Sequence, residues 1–217
     1  EWLANVRKAQ RHNGEIPGVV PTGNWGYNVG PAWDAVLINL PYYTYLYRGD
    51  KDILKENAHA IFAYADFLDG KRTEKGTVNY GLGDWCPVTV LKSPVEFTST
   101  VISMDSMKKA AFIFNVLGMK KQEEFCCSLY NELRDAARKY LVDLKTCTAK
   151  GRCQTSQSMA IYYDVFDEAE KQKAFEVLVD IIEEGGEYID FGFVGIMSIF
   201  RVLCEYGRAD LAFKMIA

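Results

Sequence analysis

The 217 residues carry 25 Lys and Arg against 29 Asp and Glu, a formal net charge of −4, with 49% hydrophobic and 25% charged residues. That is the balance of an ordinary globular chain, long enough for one domain core or for part of a larger one. No apolar run reaches the roughly eighteen residues of a membrane span, no signal-peptide pattern opens the chain, and Lys and Arg form no face suited to phosphates, so neither membrane nor nucleic acid is an expected partner.

The chain opens in a helical pattern (Trp2, Leu3, Val6) and closes in another (Leu211, Phe213, Met215, Ile216), so it reads as the middle piece of a longer domain. Residues 32–47 are apolar on nearly every side, interrupted by Asp34, Asn39 and Thr44, with Pro41 placed to kink the helix. Residues 51–68 put Leu54, Ala58, Ile61, Phe62, Ala65 and Leu68 on one stripe, with Asp50 as N-cap and Gly70 as stop. A further helix over 98–116 precedes an amphipathic one over 120–142. The same alternation returns in 155–166 and 168–182, then in 193–206, where Arg201 is the only charge before the last turn. A final helix starts near Ala209.

Helices apolar all round demand burial on all sides, whereas amphipathic ones face solvent on one side. Their alternation predicts an all-α fold, a partial (α/α)6 toroid of inner and outer hairpins forming one domain over 1–217. An open α-solenoid shares that local pattern, but no fixed repeat period links these hairpins and their loops differ in length. No segment reads as a convincing strand. The two longest loops, 10–31 and 70–96, are of a size more often functional than structural.

Six cysteines show no CxxC spacing, and His12 and His59 stand far apart, so no metal site is expected. Cys126, Cys127 and Cys204 fall in helices as small hydrophobes. Cys147 and Cys153 flank a turn, where an oxidising compartment could bridge them and a reducing one would leave inert thiols.

The long loops hold the chemistry. One delivers Pro31-Ala32-Trp33-Asp34 and the other Gly83-Asp84-Trp85. An indole face suits the C–H side of a sugar ring and a carboxylate accepts its hydroxyls, so each Trp–Asp neighbour pair is a candidate sugar contact. The structural alternative makes each Trp a core plug and each Asp a cap or turn former.

Taken with Gly14-Glu15-Ile16-Pro17, Tyr47-Arg48-Gly49-Asp50, Thr155-Ser156-Gln157, Gly192-Phe193-Val194-Gly195 and Gly207-Arg208-Ala209-Asp210-Leu211-Ala212, these motifs resemble, in order, the catalytic domain of bacterial α-L-rhamnosidases. Here Trp33 and Asp34 adjoin, where the family pattern usually carries a glycine between them. The resemblance implies a toroid that hydrolyses terminal α-L-rhamnose with inversion and without metal or cofactor, with Trp33 and Trp85 lining the sugar site beside Asp34 and Asp84. It also implies that the general acid lies before the position of Glu1 and the general base beyond that of Ala217. No catalytic residue is therefore expected within the chain, and the piece alone is expected to be inactive.

Among its own carboxylates Glu96 and Asp105 are further candidates, Asp105 being expected to be paired or solvent-facing, while Glu187 and Asp190 are expected to cap the helix after them. Alternatives are another inverting (α/α)6 hydrolase or a non-catalytic α-solenoid interaction module. A rhamnose-containing carbohydrate is the expected partner, with self-association through the two end helices. The compartment stays open, the periplasm or exterior being favoured over the cytoplasm.

Overall fold

Helices make up nearly all the regular structure in the computed structural model, which describes residues 1–217. They are shared between two compact units, Glu1–Gly81 with Ile102–Leu133, and Leu82–Val101 with Arg134–Ala217. Helices α5 (Val95–Leu117) and α6 (Lys120–Tyr140) each contribute to both.

The first unit holds α1 (Trp2–Ala9), α2 (Pro31–Asp34), α3 (Val36–Arg48) and α4 (Asp52–Gly70). The motif 47–50 is the α3–α4 turn. Gly49 ends α3 at φ +68°, a left-handed conformation that glycine adopts without a Cβ clash, and the Asp50 carboxylate accepts from the Asp52 and Ile53 N–H groups at 3.0 and 3.2 Å. Leu54, Ala58, Ile61, Ala65 and Leu68 form the buried stripe of α4, and α3 packs on it through Leu37, Ile38 and Pro41.

The expectation for 32–47 was too simple in two ways. Ala35 separates α2 from α3, and Leu40, Tyr43, Leu46 and Tyr47 are exposed, Tyr47 by 83%. An all-apolar helix is buried only where neighbours reach it, and α4 covers one side of α3. In the first end helix, α1, Leu3 and Val6 are buried and Trp2 is exposed. Arg7 donates to Asn57 Oδ1 at 2.6 Å and Gln10 to the Ala60 carbonyl at 3.0 Å, tying α1 to α4.

The second unit holds α7 (Gln154–Tyr162), α8 (Glu168–Glu184), α9 (Ile199–Glu205) and α10 (Ala209–Ile216), with a minimal antiparallel pair, β1 (Val142–Asp143) and β2 (Thr148–Ala149). Every residue from Gln154 to Ile161 is buried, whereas α8 buries only one face, so this pair is the inner–outer hairpin its sequence predicts. A capping box of Asp167 and Glu170 opens α8, and Arg134 and Arg138 of α6 ion-pair with those carboxylates at 2.6 to 3.0 Å. Helix α7 stops four residues before its predicted end, followed by Asp164 at φ +59°. In α10, Leu211 and Met215 are buried, and Phe213 and Ile216 exposed.

The largest departure lies in 193–206, where regular α-helix begins only at Ile199 after a 3-10 turn, Gly195–Met197. Phe193, Ile196 and Met197 are exposed rather than buried, because a carboxylate from a distant loop captures the backbone here. All six cysteines are free thiols, Cys147 and Cys153 included.

Candidate functional site

Asp84 is that carboxylate. It is 3% exposed, and both its oxygens are engaged: Oδ1 accepts from the Val194 and Gly195 N–H groups at 2.9 and 3.0 Å, and Oδ2 from the Gly192 N–H at 2.8 Å and the Thr155 hydroxyl. The Phe193 N–H donates to the Trp85 carbonyl at 3.0 Å. Glycine is required at 192, since a Cβ there would stand 2.4 Å from the Trp85 carbonyl oxygen. With Asp84 turned inward, Trp85 turns outward, 48% exposed, its ring stacked on Phe193 at 5.7 Å and 22°. Phe193, which sequence reasoning did not single out as a site residue, is 60% exposed. The signal was the glycine on either side of it in Gly192-Phe193-Val194-Gly195.

The Thr155-Ser156-Gln157 motif supports this loop from within α7. Thr155 meets Asp84, and Ser156 meets Ser93 at 2.7 Å. Gln157 donates to the Cys147 and Ala174 carbonyls and accepts from the Ala149 N–H, each at 2.8 Å. Gln154 binds the Tyr188 carbonyl at 2.8 Å and the Asp190 N–H at 3.0 Å, holding the approach to Gly192. Buried polar side chains of this kind are tolerated because each is hydrogen-bonded.

The other Trp–Asp pair stands in the first unit. Pro31 starts α2 after Gly30, whose φ is +100°, and a Cβ on Gly81 would lie 2.5 Å from Gly30 Cα, so two glycines let these backbones meet. Trp33 is half-buried, with its Cβ 3.0 Å from the place a Cβ on Gly18 would take. Asp34 has no exposed surface. Neighbouring positions on a helix do not share a face, which is why the two side chains diverge. Tyr80 donates to Asp34 Oδ2 at 3.2 Å. Burial pushes the Asp34 carboxyl up to about 8, against the Tyr80 hydrogen bond, with the Glu15 charge adding to the rise and Lys71 opposing it. Both Asp34 and Asp84 are buried rather than open to a sugar hydroxyl: Asp84 anchors the 192–195 backbone, and Asp34 is held by the Tyr80 hydroxyl.

The remaining candidate carboxylates are paired. Glu96 accepts from Lys150 at 3.3 Å, Asp105 from Lys109 at 2.6 Å and Glu187 from Lys214 at 3.1 Å, while Asp190 takes Lys92 and the Thr89 hydroxyl. Glu187 and Asp190 do not cap a helix as expected, because the helix after them starts later. A cavity of about 540 Å³ lined by Lys51, Lys55, His59, Phe62, Leu117 and Met119, among others, contains no carboxylate. No group of three or more His, Cys, Asp or Glu is placed to hold a metal ion.

The geometry is thus an exposed aromatic pair on a clamped loop, within a fold of α-helical hairpins. Residues 1–217 match the bacterial alpha-L-rhamnosidase six-hairpin glycosidase domain. The chain belongs to that family. This membership decides between a six-hairpin glycosidase domain and an open solenoid. An alpha-L-rhamnosidase of Formosa agariphila is 28% identical over 99% of this chain and 24% of its own length. Among solved structures, the Streptomyces avermitilis alpha-L-rhamnosidase complexed with L-rhamnose is similar at TM-score 0.88 and 25% identity, covering 98% of this chain and 20% of that one. The alpha-L-rhamnosidase of Dictyoglumus thermophilum gives TM-score 0.88 at 29% identity, over 99% of this chain and 25% of its own. The chain thus spans about a fifth to a quarter of the length of the relatives it matches.

Proposed function

We propose that the protein containing these residues removes terminal α-L-rhamnose from glycans or glycosides by an inverting mechanism. The 217 residues, part of one domain, supply its sugar-binding wall rather than its acid and base. The observation that carries this reading is the exposed Trp85 indole on a loop clamped by Asp84, in a chain similar throughout to a rhamnosidase complexed with L-rhamnose. An indole stacks on the apolar face of a pyranose, and a fixed indole spends little entropy in doing so. Trp33, packed against Gly18 in the first unit, is a further candidate sugar contact. Asp84 serves the site through the backbone it holds, and Asp34 through its hydrogen bond with Tyr80.

Inversion needs a protonated carboxyl at the leaving oxygen and a carboxylate that activates water across the ring. The loop carboxylates here are held by lysines or by backbone, which suits them to structure.

The test is hydrolysis of p-nitrophenyl α-L-rhamnoside by the full-length protein, alongside the α-glucoside and α-fucoside. The reading expects the rhamnoside to be strongly preferred, with β-rhamnose as first product by NMR. Preference for another glycoside, or retention of configuration, would sink it.

A further inference from the structure

We propose that Trp25 is a saccharide contact beyond the terminal rhamnose, its indole stacking on the sugar to which that rhamnose is attached. This rests on the rhamnosidase reading, with the loop 10–31 as part of the sugar site.

Trp25 is 61% exposed, the most exposed of the four tryptophans, yet its backbone is firmly held. Its N–H donates to the Thr22 hydroxyl at 3.1 Å, and that hydroxyl donates to the Trp25 carbonyl. Asn24 at φ +70° and Gly26 at φ +80° turn the chain on either side of it, in a conformation that Asn and Gly adopt at least cost. Behind the turn, the Gly18 N–H donates to the Gly26 carbonyl at 2.8 Å. The Tyr27 hydroxyl donates to the Ala9 carbonyl at 2.6 Å and the Trp2 indole to the Val20 carbonyl at 3.1 Å, so both flanks of the turn are fastened to α1. A large apolar ring left this open adds little to a core, so packing does not account for so rigid a mount. A preorganised indole does, because a flat ligand face can stack on it with little further ordering.

The same loop leads to Trp33. Gly18, which is bonded to the residue after Trp25, would place a Cβ 3.0 Å from the Trp33 Cβ. These steps keep the Cα atoms of the two tryptophans within about 15 Å, a distance that two linked pyranoses and two indole side chains can span. The surroundings favour carbohydrate over a protein partner. Asn24 and Asn28 are exposed on the same loop, and their amides can pair with hydroxyls, whereas a protein partner calls for a contiguous apolar patch.

The experiment uses the full-length protein and follows release of rhamnose from methyl α-L-rhamnoside and from two methyl β-D-glucosides carrying α-L-rhamnose at O2 or at O6. The kcat/KM of the better rhamnosyl-glucoside, relative to methyl α-L-rhamnoside, should fall about three- to tenfold in Trp25→Ala, the size of one aromatic contact. Trp25→Leu keeps apolar volume without an aromatic face and should show the same fall, while Trp25→Tyr should recover most of it. An unchanged ratio in Trp25→Ala overturns the proposal. So does a wild type that cleaves p-nitrophenyl α-L-rhamnoside but neither rhamnosyl-glucoside. Equal losses on both kinds of substrate, with a lowered melting temperature, would assign the indole to a packing contact in the full-length protein and overturn it as well. In all three cases the rhamnosidase reading stands. Absence of turnover on every α-L-rhamnoside, the p-nitrophenyl one included, overturns both.

Discussion

Tyr80 hydrogen-bonds one oxygen of Asp34 at 3.2 Å, while the other oxygen, Oδ1, is buried with no hydrogen-bond partner. An ionised carboxylate so placed is costly, and the carboxyl accordingly holds its proton up to about 8. Between the unfolded value of 3.8 and about 8, the folded state keeps a proton that the unfolded chain has released. Asp34 is therefore neutral to stability at the acid end of that window and destabilising as pH rises through it, by up to about 1.4 kcal/mol per pH unit. Asp34→Asn cannot ionise and should flatten the dependence. Urea midpoints at pH 5 and pH 8 decide the matter, since contributions common to both proteins cancel. Equal pH slopes in wild type and variant would refute it.

Asp84→Ala should be the most damaging loop substitution. It strands three buried backbone N–H groups and the Thr155 hydroxyl. Each buried group left unsatisfied costs about 1–3 kcal/mol, so a loss of at least about 3 kcal/mol in urea unfolding is expected. A change below about 1 kcal/mol would mean that water replaces the carboxylate without penalty.

Two glycines separate steric from conformational cost. Gly49 and Gly81 both have positive φ, but a Cβ at 49 meets nothing within 4 Å, whereas at 81 it meets Gly30 Cα and the Val29 carbonyl oxygen at 2.5 Å. Gly49→Ala should cost about 1–2 kcal/mol, the price of a left-handed residue. Gly81→Ala should cost clearly more and disturb the turn before Trp33. Equal melting temperatures for the two variants would show that the Gly30–Gly81 approach yields easily.

Thiol labelling reports the packing directly. Cys86, Cys127 and Cys204 are exposed and should react quickly with a disulfide reagent under native conditions, while Cys126, Cys147 and Cys153 are buried and should react only on unfolding. Burial pushes the Cys126 thiol up to about 12, further slowing its reaction. Fast labelling of Cys126 would show that α6 opens readily.

The 217-residue chain alone should self-associate and should hydrolyse p-nitrophenyl α-L-rhamnoside only near background. Trp2, Leu46, Tyr47, Phe213 and Ile216 are exposed apolar side chains, and exposed apolar surface favours association. On the proposed reading the general acid and base lie outside these residues, and each contributes roughly 10²–10⁴-fold, so the difference should be plain in the rate. A sharp monomer boundary in sedimentation velocity would count against the first expectation, and turnover matching the full-length protein against the second.

Periodicity in the sequence was enough for the helices whose burial is local to one face. The stripe of α4, the capping box of α8 and the Gly49–Asp50 turn all follow from residues within a few positions of one another. The aromatic–acid pairs stood out in the sequence as candidate sugar contacts, because an indole face suits a sugar ring and a carboxylate its hydroxyls. What each acid does was not legible there. Asp34 and Asp84 look like hydroxyl ligands in the sequence, yet Asp34 is sealed beneath Tyr80 and Asp84 binds backbone more than a hundred residues away. The apolar run 193–206 predicted a buried helix, but Asp84 captures its first N–H groups and leaves Phe193 in the open. Local pattern fixes which backbone hydrogen bonds a segment can make with itself. Which donors are instead claimed by a distant carboxylate depends on how the chain folds back, and only the tertiary structure carries that information.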